Sequence, residues 1–113
     1  MEAVGSPFAL VLTTAGTEEE AQRIARALVE DHLAACVSVA PKITSVYRWK
    51  GTVLTETEWL LLIKTRAALF PRVQEAVRRL HSYELPELLL VPIAGGEESY
   101  LQWLAEGTSA AGA

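Results

Sequence analysis

The sequence predicts an α+β protein built in the order β-α-β-β-α-β, with one antiparallel sheet and both long helices on one of its faces. Three observations carry this. Apolar stretches of strand length occupy four places, and stretches with apolar residues at helical spacing separate the first from the second and the third from the fourth. Residues 36–65 read as two strand-like arms joined at Trp49-Lys50-Gly51-Thr52, a short connection with glycine where a positive φ is needed. A short final helix comes after Gly95-Gly96.

The first strand is the apolar run 8–14, which ends in Thr13 and Thr14, and Ala15-Gly16 turns the chain. Thr17 is the expected N-cap of the first helix, with Glu20 three residues on completing a capping box. Glu18, Glu19 and Glu20 also set negative charge at the positive end of the helix dipole. Ala21, Ile24, Ala25, Leu28, Val29 and Leu33 then share one face.

Each arm of the central hairpin runs about 13 residues, against ~5–6 for an ordinary strand. Fully extended, such an arm spans ~43 Å, while a compact chain of this length is only ~34 Å across. The hairpin is therefore expected to project beyond its own domain unless Pro41 and sheet twist fold it back. A projecting hairpin has unpaired edges, and another copy of the chain is the expected partner for them. The second arm is polar over Thr55-Glu56-Thr57-Glu58 and apolar at every position from Trp59 to Ile63, the mark of a strand covered on both faces.

A second helix starts between Ala67 and Pro71, since proline fits only a first turn. Its buried stripe is Leu69, Val73, Ala76, Val77 and Leu80, with Arg78, Arg79 and His81 in its last turn, where cations suit the dipole. Residues 82–86 form a loop and 87–93 a fourth strand, apolar on both faces, with Pro92 placing it at an edge or near its end. The final helix contains Tyr100, Leu101, Trp103 and Leu104 and stops at Gly107; the small polar tail from Gly107 onward is expected to fray. The whole is a ferredoxin-like (split β-α-β) sandwich with a long central hairpin and an extra C-terminal helix, a single domain over residues 1–113 with its core at about 8–106.

Two helices cover one face of a sheet whose first, third and fourth strands are apolar on both. At ~25 cal/mol per Å², a few hundred Å² of bare apolar face amounts to many kcal/mol. Homo-oligomerisation is the expected remedy, as a closed ring in which each hairpin pairs with a neighbour's sheet.

Composition narrows the function. One cysteine excludes a disulfide framework and any multi-thiolate zinc site within a chain. A net charge of −4 with scattered Lys and Arg gives no reason to expect nucleic acid as a partner. No apolar run approaches the ~20 residues of a membrane span, and the N-terminal residues lack a basic region and an apolar core, so no membrane and a cytoplasmic location are expected. Ser-His-Asp ordering, a P-loop, a Gly-rich dinucleotide turn and HExxH are all missing, so no enzyme activity and no catalytic residue are expected.

His81 is the candidate metal ligand or general base; the alternative is a histidine favoured by the helix C-terminus. His32 reads as structural, and Cys36 as a buried, inert thiol with no Lys or Arg close in sequence. Glu58 and Lys64 lie six residues apart on one strand and share a face, which suits a charged cleft wall, a solvated face or an ion pair to a neighbour. Tyr47, Trp49, Trp59, Tyr83, Tyr100 and Trp103 read as core and interface anchors.

The blocks Leu33-Ala34-Ala35-Cys36-Val37, Thr44-Ser45-Val46-Tyr47-Arg48-Trp49-Lys50-Gly51, Leu62-Ile63-Lys64-Thr65, His81-Ser82-Tyr83-Glu84-Leu85-Pro86-Glu87 and Tyr100-Leu101-Gln102-Trp103-Leu104 together resemble the CutA family of divalent-cation tolerance proteins, over about residues 8–106. The resemblance implies a ferredoxin-like fold, a tight homotrimer through long β-strands, a cytoplasmic location in bacteria, and a link to tolerance of copper or another divalent metal cation. In metal-binding members the proposed copper ligands are a cysteine near the end of the first strand and two adjacent histidines after the second helix. The matching positions here are Thr13, Leu80 and His81, and Cys36 matches a different cysteine of the family. A trimer would gather further donors across subunits, with Glu58, Glu84 or Glu87 supplying oxygens. The fold and trimer also look like those of the PII signalling proteins, and that likeness implies inter-subunit clefts, lined by Trp49, Glu58, Lys64, His81 and Tyr83, holding an anionic or nucleotide-like effector.

Overall fold

The computed structural model describes residues 6–112. Strand β1 (Phe8–Ala15) leads into helix α1 (Glu18–Glu30), then into the hairpin of β2 (Cys36–Trp49) and β3 (Thr52–Arg66). A 3₁₀ turn at Ala67–Leu69 precedes α2 (Phe70–Leu80), followed by β4 (Leu89–Pro92), α3 (Glu98–Gly107) and a last 3₁₀ turn at Ser109–Gly112. The strands pair in the order β2-β3-β1-β4, every neighbour antiparallel, which is the ferredoxin-like arrangement.

The core follows from strand alternation. Val11 and Ala15 of β1 and Leu61 and Ile63 of β3 point to one face and are fully buried against Ile24 and Leu28 of α1 and Val73 and Val77 of α2. Each Val, Leu or Ile side chain among them contributes ~1.5–3 kcal/mol by leaving water. The alternate residues, Leu10 and Leu12 of β1 and Leu60 and Leu62 of β3, are only half-buried, because no long helix lies over them. At one end of that second face α3 closes the gap: Leu104 is fully buried, and Arg66 Nε donates to Thr108 Oγ1 (2.9 Å) and its Nη2 to the Thr108 carbonyl (2.8 Å). Thr108 is fully buried, so the expected fraying at Gly107 and Thr108 is overturned; residue 113 lies outside the described residues.

Half of the expected capping box forms. Thr17 Oγ1 accepts the Glu20 N–H (3.1 Å), but the Glu20 carboxylate accepts the Ser82 N–H (2.8 Å) instead of closing back onto Thr17. Pro71 sits in the first turn of α2, as its missing donor requires. His81 is not in the last turn of that helix: it is the C-cap, with extended backbone (φ −86°, ψ 142°), and Arg78 and Arg79 are the cations of the turn.

The hairpin closes on a two-residue turn in which Lys50 (φ 51°) and Gly51 (φ 83°) are both left-handed, matching the twist of the flanking strands. Pro41 and Lys42 form a bulge, where the register slips between the Ala40↔Leu60 and Ile43↔Glu58 pairs. Even with that bend the molecule measures 43 × 35 × 23 Å, longer than the compact sphere expected, and Val46, Tyr47 and Val53 near the hairpin tip are exposed. The fourth strand differs from expectation. It is four residues long, ends on Pro92, and is exposed along its whole length, since it lies at the sheet edge with neither helix above it.

Candidate functional site

Past the end of α2 the strap 81–87 turns over the end of β1 and is tied down to three elements, by a backbone carbonyl of β1 and by side chains of α1 and β3. His81 Nε2 donates to the Thr14 carbonyl (2.6 Å), and its Nδ1 accepts the Tyr83 N–H (3.1 Å), so the network assigns the neutral Nε2–H tautomer. Ser82 N–H reaches Glu20 on α1. The Tyr83 ring packs on the imidazole (centroids 4.6 Å apart, planes at 49°) and its hydroxyl donates to Glu58 Oε2 on β3 (2.8 Å). Gly16 makes room for this: a Cβ there would stand 2.9 Å from the phenol oxygen.

Beneath the strap, against the outer half of the hairpin, lies a cleft of about 920 Å³. Ser45, Tyr47, Glu56 and Glu58 come from paired positions of β2 and β3 that share one face, Thr14 from the end of β1, and Tyr83, Glu84 and Glu87 from the strap itself. Glu58 and Thr14 are nearly buried, each 6 % exposed. The cleft is electronegative, and its titrating groups respond. Burial first, then the hydrogen bond and charge of Glu58, push the Tyr83 phenol well above its usual pKa. Burial, then the charge of Glu58, also raise the Glu87 carboxyl. On Glu20 burial acts upward, but hydrogen bonds from Ser82, the nearby His81 and the Gly16 backbone outweigh it and hold the carboxyl below its ordinary value.

Of the residues picked from the sequence, Trp49, Glu58 and Tyr83 line this cleft, and His81 anchors the strap at its edge. Lys64 does not join them. Six residues along β3, ~20 Å at strand spacing, its Nζ donates to Ser38 Oγ and lies 3.7 Å from Cys36 Sγ. Sequence distance hid that neighbour: Cys36 pairs with Lys64 across the β2–β3 ladder, and the thiol is half-buried instead of buried. His32 keeps a structural role, with left-handed backbone (φ 59°) and Nδ1 hydrogen-bonded to the Gly107 carbonyl (3.2 Å). Thr14, Ser45, Glu56 and the Tyr47 ring were missed as cleft residues. The even spacing of Glu56 and Glu58, the one clue to a shared wall, needed the hairpin register to become a site.

The metal question turns on donor chemistry. Thr13, at the position matching the family's proposed cysteine ligand, is fully buried on the helix side of β1, and its hydroxyl has no hydrogen-bond partner among the described residues. Leu80 packs against the core and offers no donor. Both nitrogens of His81 are already engaged. Among the described residues no three His, Cys, Asp or Glu side chains stand together as an ion would require. A thiolate–imidazole copper site does not fit these residues within one chain.

Comparison with known proteins adds the relationships. Residues 9–107 match the sequence model of the family described as CutA1 divalent ion tolerance protein. The divalent-cation tolerance protein CutA of Thermus thermophilus is 50% identical over 99 residues, covering 88% of this chain and 96% of that protein. A solved structure from the same organism superimposes with a TM-score of 0.87 over 89% of this chain and 98% of its own. The chloroplastic CutA protein of Arabidopsis thaliana is 41% identical over 90% of this chain, which spans 56% of that longer relative. A structure titled as a periplasmic divalent cation tolerance protein, from Archaeoglobus fulgidus, is 38% identical with a TM-score of 0.87, covering 89% of this chain and 98% of that one.

Proposed function

This chain belongs to the CutA1 divalent ion tolerance family, and on that premise we propose that it is a cytoplasmic, non-enzymatic homotrimer that takes part in tolerance of copper or another divalent cation. The observation that supports the assembly is the half-buried second face of β1 and β3, flanked by an exposed β4 and a projecting hairpin. Both β2 and β4 are sheet edges with free backbone groups, which a neighbour's strand would pair. His81 is the proposed point of contact with the metal, with oxygens of Glu58, Glu84 or Glu87 contributed by more than one chain. An ion bound at Nδ1 displaces the Tyr83 N–H, so binding is expected to be modest. Calorimetric titration with Cu(II), with mass followed by light scattering, tests both parts. A mass of three times the 12.3 kDa chain and saturable binding lost in His81→Ala support the proposal. Weak, unsaturable heat that is the same in both proteins removes the metal, and a monomer mass removes the trimer.

A second reading, a PII-like small-molecule module without a metal site of its own, is favoured by one observation: the 920 Å³ cleft falls within the ~300–1,000 Å³ range of ligand pockets.

A further inference from the structure

We propose that Lys64 of one copy docks into the acidic cleft of the next, so that the cleft is a site completed by two chains. The inference rests on the homotrimer reading and names the contact that closes its interface.

Both halves of the contact lie on the second face of the sheet, toward opposite ends. Glu56, Glu58 and Lys64 alternate onto that face of β3, and Lys64 stands ~20 Å from Glu58 at strand spacing. Between them Leu60 and Leu62, with Leu10 and Leu12 of β1, form a half-buried apolar strip. Glu84 and Glu87 of the strap join the acidic end. At the other end the strand residues of this face offer two cations, Lys64 and Arg66, and Arg66 is spent on Thr108. A face with unlike ends cannot satisfy itself within one chain, whereas head-to-tail contacts between copies bring the ends together and close a ring.

Burial makes the pairing matter. Lys64 is half-buried, its ammonium donates to Ser38 Oγ and lies 3.7 Å from Cys36 Sγ, and no carboxylate pairs with it among the described residues. Glu58 is 6 % exposed and accepts from the Tyr83 hydroxyl, a neutral donor. Its charge is felt by Glu87, whose carboxyl is raised by burial and then by Glu58. A neighbour that covered the apolar strip without matching its ends would seal an ammonium and several carboxylates away from water unpaired, which is strongly unfavourable. Arg48, the cation that the cleft's own chain supplies, directs its guanidinium to the Gly51 carbonyl (3.5 Å). With Arg48 and one ammonium against four carboxylates the cleft stays acidic, so the contact is compatible with a divalent ion held there.

Zero-length coupling of the intact protein with a water-soluble carbodiimide tests this, because it joins an amine to a carboxylate only where the two touch. Lys42, Lys50 and Lys64 are the lysines of the chain, so the linked peptide names the donor. The proposal expects the mass of three chains by light scattering, covalent dimers and trimers on a denaturing gel, and fragments joining Lys64 to Glu56, Glu58, Glu84 or Glu87 by mass spectrometry. Lys64→Arg, which keeps the charge but not the reactive amine, should assemble and lose the link. Lys64→Gln, at one fixed urea concentration, should dissociate at a protein concentration at least tenfold higher than the parent. In a protein with the mass of three chains, links from Lys42 or Lys50 alone, no link at all, or unchanged dissociation of Lys64→Gln overturns the contact and leaves the trimer. The mass of a single 12.3 kDa chain removes the trimer and the contact together.

Discussion

Glu20 ties two segments together: it opens α1, and within the 81–87 strap it is held by Ser82 and faces His81. Its lowered pKa has a definite sign for stability. A carboxyl whose folded pKa lies below its unfolded value stabilises the fold above the unfolded pKa, and that contribution is lost as pH falls through the lower folded value. Glu20→Gln is therefore expected to destabilise the fold at neutral pH by about 1.5–3 kcal/mol, the range for a hydrogen bond to a charged group, read as a lower urea midpoint, and to flatten the acid limb of the stability profile. A midpoint unchanged at pH 7 would mean that the Ser82 bond is not formed in solution. Glu87 behaves oppositely, since its pKa is raised. Its ionised form opposes folding above the folded pKa, so Glu87→Gln should be slightly more stable than the parent at neutral pH and no different at pH values below the unfolded carboxyl pKa. Tyr83 reports on the cleft directly: Glu58→Gln should let the phenol ionise at lower pH, read from its ultraviolet absorbance.

Among the elements, the hairpin and β3 carry the clearest expectations. Gly51 has a left-handed φ of 83° and open space around its missing side chain, so Gly51→Ala tests backbone strain alone. It should cost about 1–2 kcal/mol by chemical denaturation. Leu61 is fully buried between sheet and helices, and Leu61→Lys should cost several kcal/mol or prevent folding, because the ammonium finds no partner there. Trp59, only half-buried at the edge of the same core, should tolerate substitution better. The order of the elements, the N-cap at Thr17 and the place of the turn at Lys50-Gly51 were all readable locally, since each depends on residues within a few positions of one another. The fourth strand was not: its apolar run gave it seven residues and two covered faces, whereas position at the sheet edge left it with four exposed ones.

The whole molecule presents a sheet finished on one face and unfinished on the other. In the proposed trimer, unfolding is coupled to dissociation, so the thermal midpoint should rise with protein concentration. A midpoint independent of concentration over a hundredfold range, with a mass near 12.3 kDa, would mean that the half-buried face is tolerated by the single chain. The sequence by itself determined the element order, the ferredoxin-like arrangement and the family, because hydrophobic periodicity, caps and turn residues act over short separations. It also put Trp49, Glu58 and Tyr83 forward. Only the tertiary structure decided that these three share a cleft while Lys64 stands apart with Cys36, that both nitrogens of His81 are spent on the strap, and that the cleft is acidic. Those outcomes depend on ladder register and on a strap reaching back across more than sixty residues to Thr14 and Glu20, separations over which sequence spacing carries no geometry.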